Sequence, residues 1–289
     1  MSLELDAVFQ QGYDAEVKRA YDQTTKLETT VRVKRGVVGD RYNFRKSGKG
    51  MATRHNKGAN VVAMNTEFTE VPCVLEEWEA FDYSDNFDKT KINFDEISIL
   101  GKTAGDALAR RKDQLIIDGL KIGYNETDMT VGDSTKALTI DTLIEAKEKL
   151  DDLGVPEENR TLILTATQMG DLLRTTQITS SEYNDIRALV LGTVKKYLGF
   201  DIMTIGKRKE GGLPDTADGK GYIGFAYHKE AVGLALGRDI DSRIDYIPEK
   251  VAYLVGGIFM GNAVVIDDEG VVAVVSAKRT KKTTTESGS

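Results

Sequence analysis

Hydrophobic and polar positions alternate with a period of two at the start of the chain. Leu27, Thr29, Val31 and Val33 are interleaved with Glu28, Thr30, Arg32 and Lys34. That spacing puts successive side chains on opposite faces of a strand. A second strand is predicted from Val62 to Phe68. The stretch between them far exceeds the ~2–5 residues of an ordinary hairpin loop. It contains Gly36, Gly39, Gly48, Gly50 and Gly58, so it reads as a long glycine-rich hairpin projecting from the body. The segment VLEEWEAFDY (74–83) then has an acid at almost every polar position. From Asn93 to Gly123 the period lengthens. Phe94, Ile97, Leu100, Ala104, Ala107, Leu108, Leu115 and Leu120 keep to one helical stripe, and Gly123 is the stop.

The second half alternates helices and strands. Thr142-x-x-Glu145 has the spacing of a capping box. The helix around it carries Ile140, Leu143, Ile144, Leu150 and Leu153 and stops at Gly154, with Pro156 beyond. TLILT (161–165) reads as a short buried strand. Thr165-x-x-Gln168 opens a short helix to Arg174, and Ile186, Leu189, Val190, Val194, Tyr197 and Leu198 form another amphipathic stripe. Strands are predicted at 200–205, 222–227 and 231–236, with a polar, glycine-rich loop at 206–221. The longest apolar stretch, Val251 to Ile266, holds Gly256, Gly257, Gly261 and Asn262, is shorter than the ~20 residues of a spanning helix, and reads as paired buried strands. A closing hairpin is expected from 263–266 through the turn 267–270 to 271–275. The class is mixed α+β in two interleaved lobes, since the 140–237 section sits between the long helix and the closing hairpin.

Charge changes this picture most. Lys26 to Lys57 holds ten Lys/Arg and two acids, a net of +8; Glu67 to Glu96 holds ten acids and two Lys, a net of −8. Such neighbours fit a basic arm of one copy docking on an acidic face of another, which points to self-assembly. The expected interface residues are Arg32, Lys34, Arg35, Arg41, Arg45, Lys46 and Arg54 on the basic side. On the acidic side they are Glu70, Glu76, Glu77, Glu79, Asp82 and Asp85. Single exposed ion pairs contribute only ~0–1 kcal/mol. The charges therefore set register and steer encounter, while buried apolar area supplies affinity. The whole chain of 289 residues has a net charge of −7, so bulk charge does not draw it to nucleic acid.

Catalytic and ligand motifs do not survive inspection. Gly101-Lys102-Thr103 lacks the glycine a phosphate loop needs five residues earlier, where Glu96 stands, and it sits in a helical stripe. Asp239-x-Asp241-x-Arg243 fails as a calcium loop at Arg243 and Ile244. His55 and His228 have no nucleophile in a recognisable elbow. Cys73 is the only cysteine, which rules out an intrachain disulfide and reads as a small apolar residue. Two histidines and one cysteine do not make the usual structural zinc site. No cofactor is expected, and the chain is not expected to be an enzyme. Trp78 reads as packed in a core or interface. Asn125-Glu126-Thr127 and Asn159-Arg160-Thr161 match a glycosylation sequon. The N-terminus MSLELDAVFQQ has no apolar core of a signal peptide, so these sequons carry no weight and cytoplasmic synthesis is expected. Arg41-Tyr42-Asn43-Phe44-Arg45 interleaves aromatics with cations, as a single-stranded nucleic-acid platform does. The alternative is a loop tip packing its aromatics on a neighbouring subunit.

The order of parts, together with several local segments, resembles the major capsid protein of tailed bacteriophages, with the Hong Kong 97-like fold. VPCVLEEWEAFDYSD (71–85) and ARRKDQLIIDGL (109–120) resemble the entry into the family's peripheral domain and its spine helix. LGVPEENRTLILT (153–165) resembles the start of its axial domain. ITSSEYN (178–184) and LVLGTVKKYLGFDI (189–202) resemble the segment before its central strands. The resemblance implies an N-terminal arm (1–25), an extended loop (26–68), a peripheral domain (69–135 and 240–276), an inserted axial domain (136–239) and a flexible tail (277–289). It also implies a structural protein of the virion, assembled in the host cytoplasm. Copies would form hexamers and pentamers around an axial loop at 206–221 or 176–184, as an icosahedral shell enclosing double-stranded DNA. A procapsid would assemble on a separate scaffold protein and mature by expansion, with portal and decoration partners and no membrane. Two other functions stay open: an encapsulin-type nanocompartment shell, and a single-stranded nucleic-acid binding module.

Overall fold

The computed structural model describes residues 25–58, 60–85, 96–174 and 196–278. The N-terminal arm up to residue 24, the first residues of the expected long helix (93–95), the axial-loop candidate 176–184, most of the 186–198 stripe and the tail from 279 lie outside them. In chain order the strands are β1 (Arg32–Arg35), β2 (Arg41–Ser47), β3 (Phe68–Val74), β4 (Glu76–Asp85), β5 (Thr130–Gly132), β6 (Arg160–Thr165), β7 (Lys196–Tyr197), β8 (Phe200–Ile205), β9 (Gly221–His228), β10 (Val232–Ile247), β11 (Ala252–Val265) and β12 (Val271–Ala277). The helices are α1 (Glu96–Gly123), α2 (Ile140–Asp152) and α3 (Ala166–Arg174). The chain forms two compact units. One runs to Gly119 and resumes over Val232–Asp267; the other comprises Leu120–Ala231 and the chain from Asp268.

The first unit is built on a four-stranded sheet in the order β1-β10-β11-β4. One face packs on α1, where Leu108, Ala109 and Leu115 meet Phe259, Trp78 and Ala80. Close approach of helix and strand needs Gly119, because a Cβ there would lie 2.7 Å from the Ala263 carbonyl oxygen. On the opposite face the two-stranded sheet β2-β3 contributes Phe44 and Cys73 to a core with Val37, Ala235 and Ile266. The second unit is a six-stranded mixed sheet, β5-β12-β9-β6-β8-β7. Leu143, Ala146 and Leu150 of α2 are buried with Leu162, Leu164, Phe200, Ala226, Val272 and Val274.

Several expectations change. Residues 28–30 form a 3-10 turn rather than strand, so β1 begins only at Arg32. The turn is held by Asp113, whose carboxylate accepts the backbone N–H groups of Lys26 and Leu27 at 3.0–3.3 Å. The hairpin pairs β2 with β3, not 27–33 with 62–68. The capping residue of α2 is Thr139, whose hydroxyl accepts the Thr142 N–H at 3.4 Å, so Thr142 sits inside the first turn. Thr165 and Gln168 do form the expected reciprocal cap on α3.

The Val251–Ile266 stretch is one long strand, β11, and no closing hairpin joins it to β12. β11 pairs with β10 and β4, whereas β12 pairs antiparallel with β9 and parallel with β5. Both strands are apolar on both faces, so alternation does not reveal which sheet claims them. The two units meet in the chain at 119/120, 231/232 and 267/268, and β12 belongs to the second unit.

Candidate subunit interface

The expected basic loop tip is partly a regular strand. Along β2, Tyr42, Phe44 and Lys46 point inward and Arg41, Asn43 and Arg45 outward. Phe44 is only 1 % exposed and meets Tyr42 edge-on at 4.9 Å. These aromatics are therefore spent on the chain's own core, against Ala235 and Cys73. That removes the stacking platform, and equally the idea of a tip that packs Tyr42 and Phe44 on a neighbour.

Charges of opposite sign also meet within the chain. Arg45 lies directly opposite Glu70 across the hairpin and pairs with it at 3.1 Å, with the Asn43 amide donating to the other carboxylate oxygen. Lys46 pairs with Asp267 at 2.7 Å, Arg41 lies 3.6 Å from Asp40, and Lys34 sits 5.7 Å over the Tyr42 ring. Arg32 is exposed on β1, and Arg54 is exposed beyond the paired strands. The distal segment beyond Ser47 has another character. Met51, Val61, Val62 and Met64 are 56–90 % exposed, beside exposed Lys49, Arg54 and Lys57.

Sequence reasoning missed the anchor at the hairpin's root. Lys112 of α1 is 1 % exposed and its ammonium donates to Glu28 at 2.5 Å. The other Glu28 oxygen accepts from Arg35. Burial works to raise the Glu28 carboxyl, but the Lys112 and Arg35 cations outweigh it and hold it below its ordinary range. Burial pulls the Lys112 ammonium down despite Glu28. The signal was present in the spacing. Lys112 lies four residues after Leu108 and three before Leu115, on the apolar stripe, where an isolated charge is not tolerated.

The acidic segment is strand β4, at the sheet edge opposite β1. One rung of the sheet runs Arg35–Leu236–Gly261–Glu76. Neighbours in sequence thus become opposite edges, ~14 Å apart at three strand spacings. Trp78 and Ala80 face α1, where the Arg111 guanidinium stacks 3.6 Å from the Trp78 ring centre. Asp82 shares that parity, next to buried Ser84. Glu77, Glu79 and Asp85 have the other parity. Glu76 accepts from the Asn262 amide at 3.3 Å. Glu70 belongs to the hairpin itself.

Gly101-Lys102-Thr103 lies within α1, and Asp239 to Arg243 within β10, where Asp241 sits 2.5 Å from Arg238 and 3.5 Å from Arg243. His228 ends β9, and burial lowers its pKa. Cys73 is buried against the Asn262 carbonyl at 3.3 Å, and burial pushes its thiol up to about 11. Among the described residues no group of three or more His, Cys, Asp or Glu is arranged to hold a metal, and no helix is long and apolar enough to cross a membrane. Among the described residues the surface carries an exposed loop rich in cations and apolar side chains and an acidic sheet edge.

The family model described as "Phage capsid protein" matches residues 5–277. No curated protein matches by sequence. Among solved structures, the capsid of cyanophage P-SCSP1u is 17% identical, covers 88% of this chain and 89% of its own, and superposes with a TM-score of 0.67. The capsid of Ralstonia phage GP4 is 11% identical, with coverages of 87% and 88% and a TM-score of 0.70. A virus-like particle from Pyrococcus furiosus is 14% identical, with coverages of 92% and 99% and a TM-score of 0.55. The shared architecture is the Hong Kong 97-like fold expected from the sequence.

Proposed function

This chain belongs to the phage capsid protein family, and on that premise we propose that its copies assemble as hexamers and pentamers into an icosahedral phage head enclosing double-stranded DNA. A capsid protein builds a shell from copies of itself and resides in the virion. The observation that carries the reading is the family match over residues 5–277, almost the full length. The peripheral domain is read as the first unit and the axial domain as the second. The hairpin is the arm that reaches a neighbour, and its distal Lys49, Arg54 and Lys57, together with its exposed Met and Val side chains, make the contact. Of the acidic residues, those on β4 are the receiving side. Glu70, paired with Arg45, stiffens the arm. Assembly on a separate scaffold, a portal and decoration proteins belong to the same reading, with the enclosed DNA held without sequence recognition.

An encapsulin-type compartment uses the same fold. It is the weaker reading here, because the family match is to phage capsid proteins. The test is electron microscopy of the purified protein, expressed with and without a candidate scaffold. Closed uniform shells or six-fold rings are expected. A monodisperse monomer at every salt concentration and with every partner would sink the reading.

A further inference from the structure

The hairpin β2-β3 is fastened to its own subunit at three successive points. At its root the Val37 N–H donates to the Leu236 carbonyl at 3.1 Å, and the Leu75 N–H donates to the Asp40 carbonyl at 2.8 Å. Further along β2, the Phe44 ring sits in a notch left by Gly233 of β10. A Cβ at Gly233 would lie 2.7–2.8 Å from two carbons of that ring and 2.9 Å from the Ile266 δ-methyl. A glycine inside a strand marks such a close approach. Beyond the notch, the Lys46 ammonium pairs at 2.7 Å with Asp267, just past the end of β11. Phe44 and Lys46 share the inward face of β2, so notch and ion pair restrain the same side of the hairpin.

We propose that Phe44 in the Gly233 notch and the Lys46–Asp267 pair set the direction of the hairpin in the free subunit, and through it the curvature of the shell. The inference rests on the shell reading above, in which the hairpin is the arm between neighbours. A two-stranded hairpin is marginal alone and takes its direction from what it packs on. The backbone bonds at Val37 and Asp40 fix where it starts. They do not fix where it points. Gly36 and Gly39, on either side of Val37 and Val38, take φ of +68° and +104° with open space where a Cβ would be, so the link can turn. The second and third fastenings remove that freedom. The ring is enclosed by Val37, Cys73, Ala235 and Ile266 and has no other place to go. Filling the notch with one methyl forces the ring back by ~1 Å to reach ordinary carbon contact, and β2 lifts with it. Lys46 and Asp267 resist that lift, and at 32% exposure each their attraction is only partly screened. Every arm carries the angle to its neighbour, so a change in its direction alters the angle at every contact. Phe44, Gly233, Lys46 and Asp267 are thus positioning residues for assembly.

Nitroxide labels at Ser47→Cys and Thr103→Cys, both exposed positions, report the direction of the hairpin in unassembled protein. Native Cys73 is buried and stays unlabelled. Double electron–electron resonance is expected to give one narrow distance distribution. Gly233→Ala should widen it at least twofold, and adding Phe44→Leu should narrow it again. Lys46→Asp should widen it as well, and the swap of Lys46→Asp with Asp267→Lys should restore it. Electron microscopy of assembled shells reads the second half. The wild type and the swap should give one diameter. Lys46→Asp should give a spread of diameters at least twice as broad, or open or absent shells. A purely structural role lowers the melting temperature and moves neither distance nor diameter. Unchanged distances in Gly233→Ala and Lys46→Asp overturn the inference. So do widened distances with unchanged shells, or a change that neither second substitution repairs. Where Gly233→Ala fails to fold, the Lys46/Asp267 swap decides alone. A wild type that forms no shells defeats the shell reading instead, while the label distances still decide whether the notch and the ion pair set the direction.

Discussion

Replacing Glu28 by Gln is expected to loosen the root of both the arm and the hairpin, because one carboxylate serves two cations there. Lys112 is 1 % exposed and lies 2.5 Å from one Glu28 oxygen, while Arg35 holds the other. Breaking a buried pair by removing one partner costs ~3–5 kcal/mol, since the remaining charge stays desolvated. The Arg35 side chain is 64% exposed, so its half of the interaction adds less than ~1 kcal/mol. A loss of ~3 kcal/mol is therefore expected, at the low end because amide dipoles and Asp239 still act on Lys112. For a chain of this size that is a melting shift of ~6–12 °C. Lys112→Met removes the buried charge and fills the same space. In the double variant Glu28→Gln/Lys112→Met most of the loss should return, with a coupling of ~1–3 kcal/mol.

The assay is thermal unfolding of unassembled protein by circular dichroism, across pH. Glu28 has a depressed pKa in the fold. Its contribution is thus fully present above its ordinary value of 4.5 and disappears as pH falls through the lower folded value. The acid limb of the stability curve should be shallower in Glu28→Gln than in the wild type. A Glu28→Gln protein within ~0.5 kcal/mol of wild type, or strictly additive single variants, refutes the reasoning.

Arg160 is 1 % exposed, donates to the carbonyls of Pro156 and Val155 and pairs with Asp151 at 2.7 Å, so Arg160→Ala should cost ~3 kcal/mol in urea unfolding by opening the α2–β6 connection. Cys73, with its thiol pushed up to about 11, should resist a thiol reagent at pH 8 in the folded protein and react at once in denaturant. Reversing Lys49, Arg54 and Lys57 to Glu should slow shell assembly and weaken its dependence on salt, read by light scattering between low and physiological ionic strength. Reversing Arg45 instead should leave that salt dependence intact and destabilise the hairpin by ~1 kcal/mol or less, because its partner Glu70 is in the same chain.

The three helices and strands β6, β8 and β9 were legible because their periods are clean, whereas β5 was not foreseen and β7 lies in the stretch read as an amphipathic stripe. Leu143, Ala146 and Leu150 recur at helical spacing, and β6 and β8 fall within a residue of the predicted 161–165 and 200–205. Strand partners were not legible where alternation fails. Val271 to Val274 are all buried, as are Val255, Gly256 and Gly257 of β11, and such runs do not say which sheet they enter. The hairpin was displaced for a different reason. Leu27 and Val31 are inside as the alternation predicts, but Thr29 is exposed and Thr30 buried, because Asp113 captures the backbone amides that a strand would have used for its ladder. Of the interface, the charge swap could be read from composition. Its division between faces depends on register, and a shift of one residue would exchange Glu77 and Glu79 for Trp78 and Asp82.

That division bears on how a shell stays ordered. An open sheet edge is a hazard because its unpaired backbone groups recruit any other edge. Here β4 carries five acids along ten residues and β1 carries Arg32, Lys34 and Arg35 along four. Two β4 edges repel, and so do two β1 edges, which disfavours two-fold contacts between like edges. Unlike edges attract, and a contact between unlike surfaces is heterologous. Repeated with a rotation that closes, it generates a ring, as pentamers and hexamers require. The charge swap then has a geometric purpose beyond attraction. With +3 on β1 and −5 on β4, at opposite edges of one sheet, the proposed shell would favour head-to-tail association over self-pairing. In the proposed shell, the exposed methionines and valines of the distal loop would supply the apolar burial that charge alone does not.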